Sequence, residues 1–352
     1  MQHVVGTANL SVRSCELLKE TIQAYIETGH PVGSRFLSKR SKSRLSAATI
    51  RNIMFDLEEA GFLHQPHNSA GRLPTDKGYR FYVDSLMEKR RLSASEKEHI
   101  QASMEKESND GFTRLMEGTS RLLANLANNV GIVIAPTISK AILQHIHFLK
   151  LGDHRILAII IGKTGIVQNK LVRIEEEISQ DELERASQFL TCEFAGKTLP
   201  VIQTELERML HEDRSFYSPW WTKLSILCAR CFQEDCPQGI YLDGAAKIMS
   251  HPEFCDMSRV RALFETFEHR SELVRILSEC IKDESSGVRI LIGKETGLSG
   301  MPNCALITSP YIYDNRVAGS LGILGPSRIE YGKTVSLVDY VARLFSSILS
   351  HS

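Results

Sequence analysis

The chain opens with apolar residues at helical intervals. Leu17, Ile22, Tyr25 and Ile26 fall on one side of a helix that Gly29-His30-Pro31 would end. Gly33-Ser34 opens a short second helix carrying Phe36 and Leu37. Ser46 suits the N-cap of a third, with Ile50, Ile53, Met54 and Leu57 as its buried stripe and Gly61 as its stop. Three short helices with tight connections predict a helix-turn-helix. A strand over 62–65 follows, then the turn-forming run Pro66-His67-Asn68-Ser69-Ala70-Gly71-Arg72-Leu73-Pro74. A strand and a loop directly behind a third helix predict a wing. Thr75 then opens a helix with Tyr79, Tyr82, Val83, Leu86 and Met87 on its apolar side.

Further along, 93–129 reads as one or two amphipathic helices with Met104, Leu115, Leu122, Leu123 and Leu126, a linker able to pack on a partner subunit. A β-branched run over 130–135 stops at Pro136. Strands over 146–151, 156–161 and 167–172 are separated by Gly152-Asp153 and Lys163-Thr164-Gly165, the pattern of a meander. Helices are expected over 180–194, 201–211 and 220–232. In the last third a strand over 240–242 precedes helices over 260–267 and 272–281. Strands follow over 289–293, 304–309, 311–313 and 316–324, with Asp314-Asn315 as a hairpin turn. A terminal helix carries Val335, Leu337, Val338, Val341, Leu344 and Ile348. The pattern predicts an α+β multidomain chain whose last part has a sensor-like plan.

Length and composition narrow the class. A chain of 352 residues suggests two or three domains, and 42% hydrophobic with 24% charged residues is ordinary for a soluble globular protein. The longest apolar run, over 156–161, falls far short of the roughly 20 residues of a membrane span. No N-terminal apolar stretch leads to a small-residue cleavage site, so no secretory signal is expected. The eight cysteines are scattered and read as reduced thiols of a cytoplasmic protein.

Charge changes the picture more. The 42 basic and 42 acidic residues cancel over the whole chain. Residues 1–92 nevertheless carry fourteen Lys or Arg against nine Asp or Glu, a net +5, and the remainder is −5. From His30 to Phe55 lie Arg35, Lys39, Arg40, Lys42, Arg44 and Arg51 with no acid. Such a module suits a polyanion partner, although a solvated helix face has the same pattern.

Opposite the buried stripe of the third helix stand Ala47, Thr49, Arg51 and Asn52. Residues near the start of a recognition helix reach base edges; Arg can pair with guanine and Asn with adenine, each through two hydrogen bonds. Ser46 at the helix start joins this group. Arg35, Lys39, Arg40, Lys42 and Arg44 would hold phosphates. In the wing, His67, Asn68, Ser69 and Arg72 are polar, and Arg72 suits a minor groove. The structural alternatives are Arg51 paired with Asp56 or Glu58, and Asn68-Ser69 as ordinary turn residues.

Other chemistry is thinner. Cys228-x2-Cys231-x4-Cys236 near His211 or His251 could suggest zinc, but no second cysteine pair repeats the spacing, and Cys228 and Cys231 fall on a helical pattern with Leu224 and Leu227, where thiols pack as small hydrophobes. His145 and His147 alternate on a strand, as two ligands or as two exposed sheet residues. Gly319, Gly322 and Gly325 do not open a helix after a strand, so they form no phosphate loop. No nucleophile–base set is visible, and neither a metal nor a cofactor is expected. A DNA-binding repressor and a small-molecule-responsive regulator fit the basic stretch and wing better than a redox or zinc enzyme does.

Several long motifs carry a resemblance. They are Gly33-Ser34-Arg35-Phe36-Leu37-Ser38, Ser46-Ala47-Ala48-Thr49-Ile50-Arg51-Asn52-Ile53-Met54, Asp56-Leu57-Glu58-Glu59-Ala60-Gly61, the run from Pro66 to Thr75, and Gly78-Tyr79-Arg80-Phe81-Tyr82-Val83-Asp84. Near the end stand Gly325-Pro326-Ser327-Arg328-Ile329-Glu330-Tyr331 and Leu337-Val338-Asp339-Tyr340-Val341. Together they resemble the bacterial heat-inducible transcription repressor family HrcA, densely over 33–87 and again over 319–344. Asn68 stands where the family pattern has Thr, and is likewise polar and turn-compatible.

The resemblance implies a dimeric repressor that binds an inverted-repeat operator upstream of chaperonin and co-chaperone genes. It also implies that chaperonin maintains the DNA-competent form, which is lost on heat shock. The implied plan is a winged helix-turn-helix over 1–92, a linker helix and the first part of a GAF-like domain over 93–144, an inserted dimerisation domain over 145–236, and the rest of the GAF-like domain over 237–352. A two-fold dimer reading a palindrome is what symmetry requires.

Overall fold

The computed structural model describes residues 10–40, 45–67, 70–88, 90–108, 111–135, 142–152, 154–163, 167–212, 219–232, 239–249, 251, 253, 273, 276–277, 287–297, 303–313 and 316–351. These residues form a mixed α+β structure with three sheets.

Local chemistry sets the N-terminal elements. Helix α1 (Val12–Thr28) starts where Ser11 Oγ accepts from the Ser14 N–H at 3.1 Å. It ends at Gly29, whose φ of +69° suits glycine and whose N–H donates to the Tyr25 carbonyl at 2.8 Å. Helices α2 (Ser34–Arg40) and α3 (Ala47–Glu59) follow. Leu17, Leu18, Ile22, Leu37, Ile50, Met54 and Leu57 bury the facing sides of the three helices. Strand β1 (Leu63–His64) pairs antiparallel with β2 (Leu73–Pro74), and Val32 bridges to Arg72. Helix α4 (Asp76–Phe81) is capped by Thr75, which accepts from the Gly78 N–H at 3.1 Å. The chain then widens into a π-helical turn over Tyr82–Leu86, where the apolar spacing predicts plain helix.

After α5 (Ala94–Ser108) and α6 (Phe112–Ala127) comes a five-stranded sheet. Its order is β7-β3-β10-β9-β8, from β3 (Val130–Ile134), β7 (Ile240–Asp243), β8 (Arg289–Ile292), β9 (Cys304–Tyr313) and β10 (Arg316–Pro326). Short helix α10 (Ala245–Ile248) follows β7. The final helix α11 (Tyr331–His351) packs on β9 and β10. There the Tyr311 and Phe345 rings lie 4.8 Å apart, and Ser346 Oγ accepts from the Ile312 N–H at 2.9 Å.

The apolar pattern predicts two strands divided at Pro310. The structure has one, with Pro310 in register opposite Ser320 and the ladder slipping beside it, between Val317 and Gly319. A proline cannot donate to a ladder, and a neighbouring irregularity is where a strand tolerates one. The expected helix over 260–267, most of that over 272–281 and the turn Asp314-Asn315 lie outside the described residues. Leu273, Ile276 and Leu277 are helical and buried.

The chain divides into two compact units. One comprises Met1–Asn109, Glu117–Val133 and Tyr241–Ser352; the other comprises Asp110–Met116 and Ile134–Ile240. Within the first, Arg80 donates to the Ile290 carbonyl at 2.8 Å, and Arg328 donates to the Ile26 carbonyl at 3.3 Å while pairing with Glu253.

The second unit holds the antiparallel meander of β4 (Leu143–Gly152), β5 (Arg155–Gly162) and β6 (Val167–Arg173), with α7 (Gln180–Phe194), α8 (Leu199–Glu212) and α9 (Pro219–Phe232). Ile146, Phe148, Ile156, Ala158, Ile160 and Val172 point inward and share a core with Leu183, Leu190, Phe194, Ile202 and Leu227. The other face of the sheet is also apolar. Leu149, Leu151, Val167 and Leu171 are exposed, and Leu157, Ile159 and Ile161 between them are half-buried.

Candidate nucleic-acid interface

The third helix is fixed at its start by one polar side chain. Ser46 Oγ accepts from the Thr49 N–H at 3.1 Å, and the two hydroxyls lie 2.9 Å apart. Both Ser46 and Thr49 are therefore engaged in the cap. Ile50, Met54 and Leu57 anchor the inner face. Ala48, Arg51, Asn52 and Phe55 stand exposed on the outer one. Among the described residues Arg51 enters no ion pair, so neither Asp56 nor Glu58 claims it.

The predicted phosphate cations separate into two groups. Arg35 and Lys39 are exposed at the outer side of α2 and enter no ion pair among the described residues. Arg40 grips Glu27 on α1 through two hydrogen bonds of 2.6 and 2.7 Å. Those bonds hold the Glu27 carboxyl below its ordinary range. Lys42 and Arg44 lie outside the described residues.

The predicted wing also divides. His67 is exposed, and its carbonyl accepts from the Ala70 N–H at 2.8 Å. Asn68 and Ser69 lie outside the described residues. Arg72 turns inward: its side chain is 15% exposed and its Nε lies 2.8 Å from Glu58 of α3. Its backbone exchanges hydrogen bonds with Val32 at 2.8 and 2.9 Å. Glu58 also accepts from the Gln65 N–H at 2.9 Å, and Gln65 Nε2 donates to the Ala70 carbonyl at 2.9 Å. Gly71 makes this closure possible, because a Cβ there would stand 2.5 Å from the Val32 carbonyl oxygen. A helix with an exposed Arg-Asn pair, two cations on the preceding helix and a loop pinned beside them offer donors to both bases and phosphates.

The comparisons with known proteins bear on what such a surface serves. Residues 113–335, more than half of the chain, match the family model described as HrcA protein C terminal domain. A heat-inducible transcription repressor HrcA from Geobacter sulfurreducens is 40% identical over 97% of this chain and 98% of its own. One from Syntrophobacter fumaroxidans is 35% identical over the same shares. The chain belongs to the HrcA family of heat-inducible transcription repressors. In fold it is also similar to a crystal structure of a hypothetical protein at 2.2 Å resolution. That likeness has a TM-score of 0.58 at 20% identity, covering 97% of this chain and 99% of the other.

HrcA is a family of transcription repressors and not a class of enzyme. In this HrcA chain no helix among the described residues is long and apolar enough to cross a membrane. Two of the three cysteines that suggest zinc are placed as core packing. Cys228 and Cys231 are buried in the core of the second unit, where burial pushes both thiols up, Cys231 to about 12. Cys236 lies outside the described residues, and no group of three or more His, Cys, Asp or Glu suited to a metal occurs among those described. His251 Nε2 lies 3.1 Å from the Asn128 carbonyl oxygen. The rings of His145 and His147 stack on the open face of the meander, 6.4 Å apart.

One residue of the outer α3 face, Phe55, escapes a reading of the sequence that assigns apolar residues to the core. Its signal is its spacing, four residues beyond Arg51 and three beyond Asn52, away from the buried stripe.

Proposed function

We propose that this chain is a winged helix-turn-helix repressor that binds, as a dimer, an inverted-repeat operator upstream of chaperonin and co-chaperone genes in the cytoplasm. The observation that carries the reading is the exposed Arg51-Asn52 pair on the outer face of a capped α3, within a basic segment, in a chain of the HrcA family. Arg51 and Asn52 read bases; Ser46 and Thr49 set the helix start. Arg35, Lys39, Arg40, Lys42 and Arg44 meet phosphates, and the wing residues His67, Asn68, Ser69 and Arg72 sit against the adjoining groove. The engagement of Arg40 with Glu27 and Arg72 with Glu58 leaves Arg35, Lys39 and Arg51 as the described cations most available to DNA.

In this reading residues 1–92 bind DNA. Residues 93–144 supply a linker helix and the first part of a GAF-like body, residues 237–352 supply the rest of it, and residues 145–236 are an inserted dimerisation domain. The apolar outer face of the meander supports that last role, since an exposed apolar sheet face is suited to cover by a second copy. Chaperonin maintains the DNA-competent form, and heat removes the repressor from its operator.

The test is a fluorescence-anisotropy titration on the inverted repeat from upstream of the organism's own chaperonin genes. A scrambled duplex is the competitor, at several salt concentrations and with and without chaperonin. Tight, salt-dependent binding to the repeat alone, improved by chaperonin, is expected. Equal binding to both duplexes would refute operator recognition.

A further inference from the structure

Phe55 on α3 is 52% exposed and Phe36 on α2 44%, whereas Phe62, Tyr79 and Tyr82 in the same N-terminal part are buried. Phe55 shares the outer face of α3 with Ala48, Arg51 and Asn52, one turn beyond Arg51 and about 6 Å further along the helix axis. It is the last residue of the segment from His30 that holds six cations and no acid. A phenyl ring has no hydrogen-bond donor for a phosphate. In a major groove its apolar counterpart is the thymine 5-methyl group, which is also the feature that distinguishes thymine there by contact alone.

We propose that Phe55 is a specificity-determining residue that packs on a thymine methyl of each operator half-site, nearly two base steps from the base that Arg51 reads. The inference rests on the reading of α3 as the recognition helix. It assigns the outward apolar position an occupant whose chemistry fits it. Arg51 and Asn52 select by hydrogen bonding, and Phe55 adds selection by the presence of a methyl group.

The experiment measures operator affinity of the full-length wild-type, Phe55→Ala and Arg51→Ala proteins by fluorescence anisotropy. Duplexes carry the inverted repeat from upstream of the host's chaperonin genes, with each symmetry-related pair of thymines replaced in turn by deoxyuridine. Wild type should lose about fourfold per half-site at one thymine pair, the value of one buried methyl. Phe55→Ala should bind the thymine operator more weakly by at least as much and show no further loss with uracil at that pair. Its salt dependence should match wild type, since no charge is removed. Indifference of wild type to uracil at every position, or an equal uracil effect in Phe55→Ala, would overturn the proposal. In either case, lost discrimination in Arg51→Ala would leave the recognition helix standing. If Arg51→Ala also discriminates like wild type, the α3 reading fails, and the Phe55 contact with it.

Discussion

The Phe148 N–H, on the edge strand β4, donates to Ser187 Oγ on α7 at 3.1 Å. The relationship repeats on either side, from the Ile146 N–H to Thr191 Oγ1 at 3.3 Å and from the Lys150 N–H to Gln180 Oε1 at 3.0 Å. Two residues of strand advance about 6.8 Å and four of helix about 6 Å, so Ser187 and Thr191 match alternate strand amides. A helix thereby satisfies the outer edge of the sheet and closes it to strand addition.

Ser187→Ala should therefore destabilise the second unit. The hydroxyl also donates to the Leu183 carbonyl at 2.8 Å, but that carbonyl lies within a helix; the Phe148 N–H would be left buried without its acceptor. The expected cost is about 1–2 kcal/mol, seen as a lower urea midpoint with an unchanged far-UV spectrum. An unaltered midpoint would mean that water or backbone movement replaces Ser187.

The open face of the same sheet leads to a second expectation. Leu149, Leu157 and Leu171 stand in one row across the three strands, and Leu149 and Leu171 are 47% and 57% exposed. The double variant Leu149→Asp, Leu171→Asp should fold with a near-native spectrum, because neither side chain supports the core. It should sediment as a monomer and bind the operator more weakly. A variant that remains dimeric would place the two-fold contact elsewhere.

Much of this was legible in the sequence, for reasons that differ by element. Ser46 and Thr75 act on N–H groups three residues away, so their caps could be read from adjacent letters. The meander was visible because alternating and continuous apolar runs end in turn formers. The pairing of Arg40 with Glu27 was not visible, since the partners lie 13 positions apart on two helices. The polar cover of β4 was hidden for the same reason, its partners standing 39 and 45 positions apart. Pro310 misled because a strand-breaking residue had been accommodated beside a slipped ladder. Phe55 was hidden because hydrophobicity alone does not say which side of a helix a residue occupies.

The exposed cations of the candidate interface should separate by role. Arg51→Ala should cut the preference for operator over scrambled DNA by about 1–3 kcal/mol per half-site, while leaving thermal stability within about 0.5 kcal/mol. Lys39→Ala should weaken binding to every duplex alike and flatten the salt dependence by about one unit per protomer. A Lys39 variant with an unchanged salt slope would show that this side chain touches no phosphate.

Arg72→Ala should behave differently from both. Its guanidinium is largely enclosed and sits against Glu58, which also holds the Gln65 N–H. Its loss should first loosen the pairing of β2 with β1 and the bridge to Val32, and lower stability by about 1 kcal/mol, with reduced DNA affinity as a consequence. Glu58→Gln should reproduce the stability loss in part. Full stability in Arg72→Ala, combined with lost affinity, would instead assign the side chain directly to DNA.

The cysteines offer a check on the packing of both units. Cys192 is exposed, whereas Cys228, Cys231 and Cys304 are buried. Burial pushes the Cys231 and Cys304 thiols to about 12 from an ordinary 9.0, and raises Cys228 well above that value. At pH 8 a thiol reagent should therefore modify Cys192 rapidly in the native protein and reach Cys228, Cys231 and Cys304 only on unfolding, with peptide mass spectrometry assigning each site. The sign for stability follows from the same shift. These thiols stay protonated in the folded state but ionise above pH 9 in the unfolded one, so their contribution is complete below pH 9 and falls as the pH climbs towards 12. Urea midpoints should decline over that range, and less steeply in a Cys231→Ala variant. Rapid native labelling of Cys228 or Cys231 would show that the core of the second unit is open where the structure closes it.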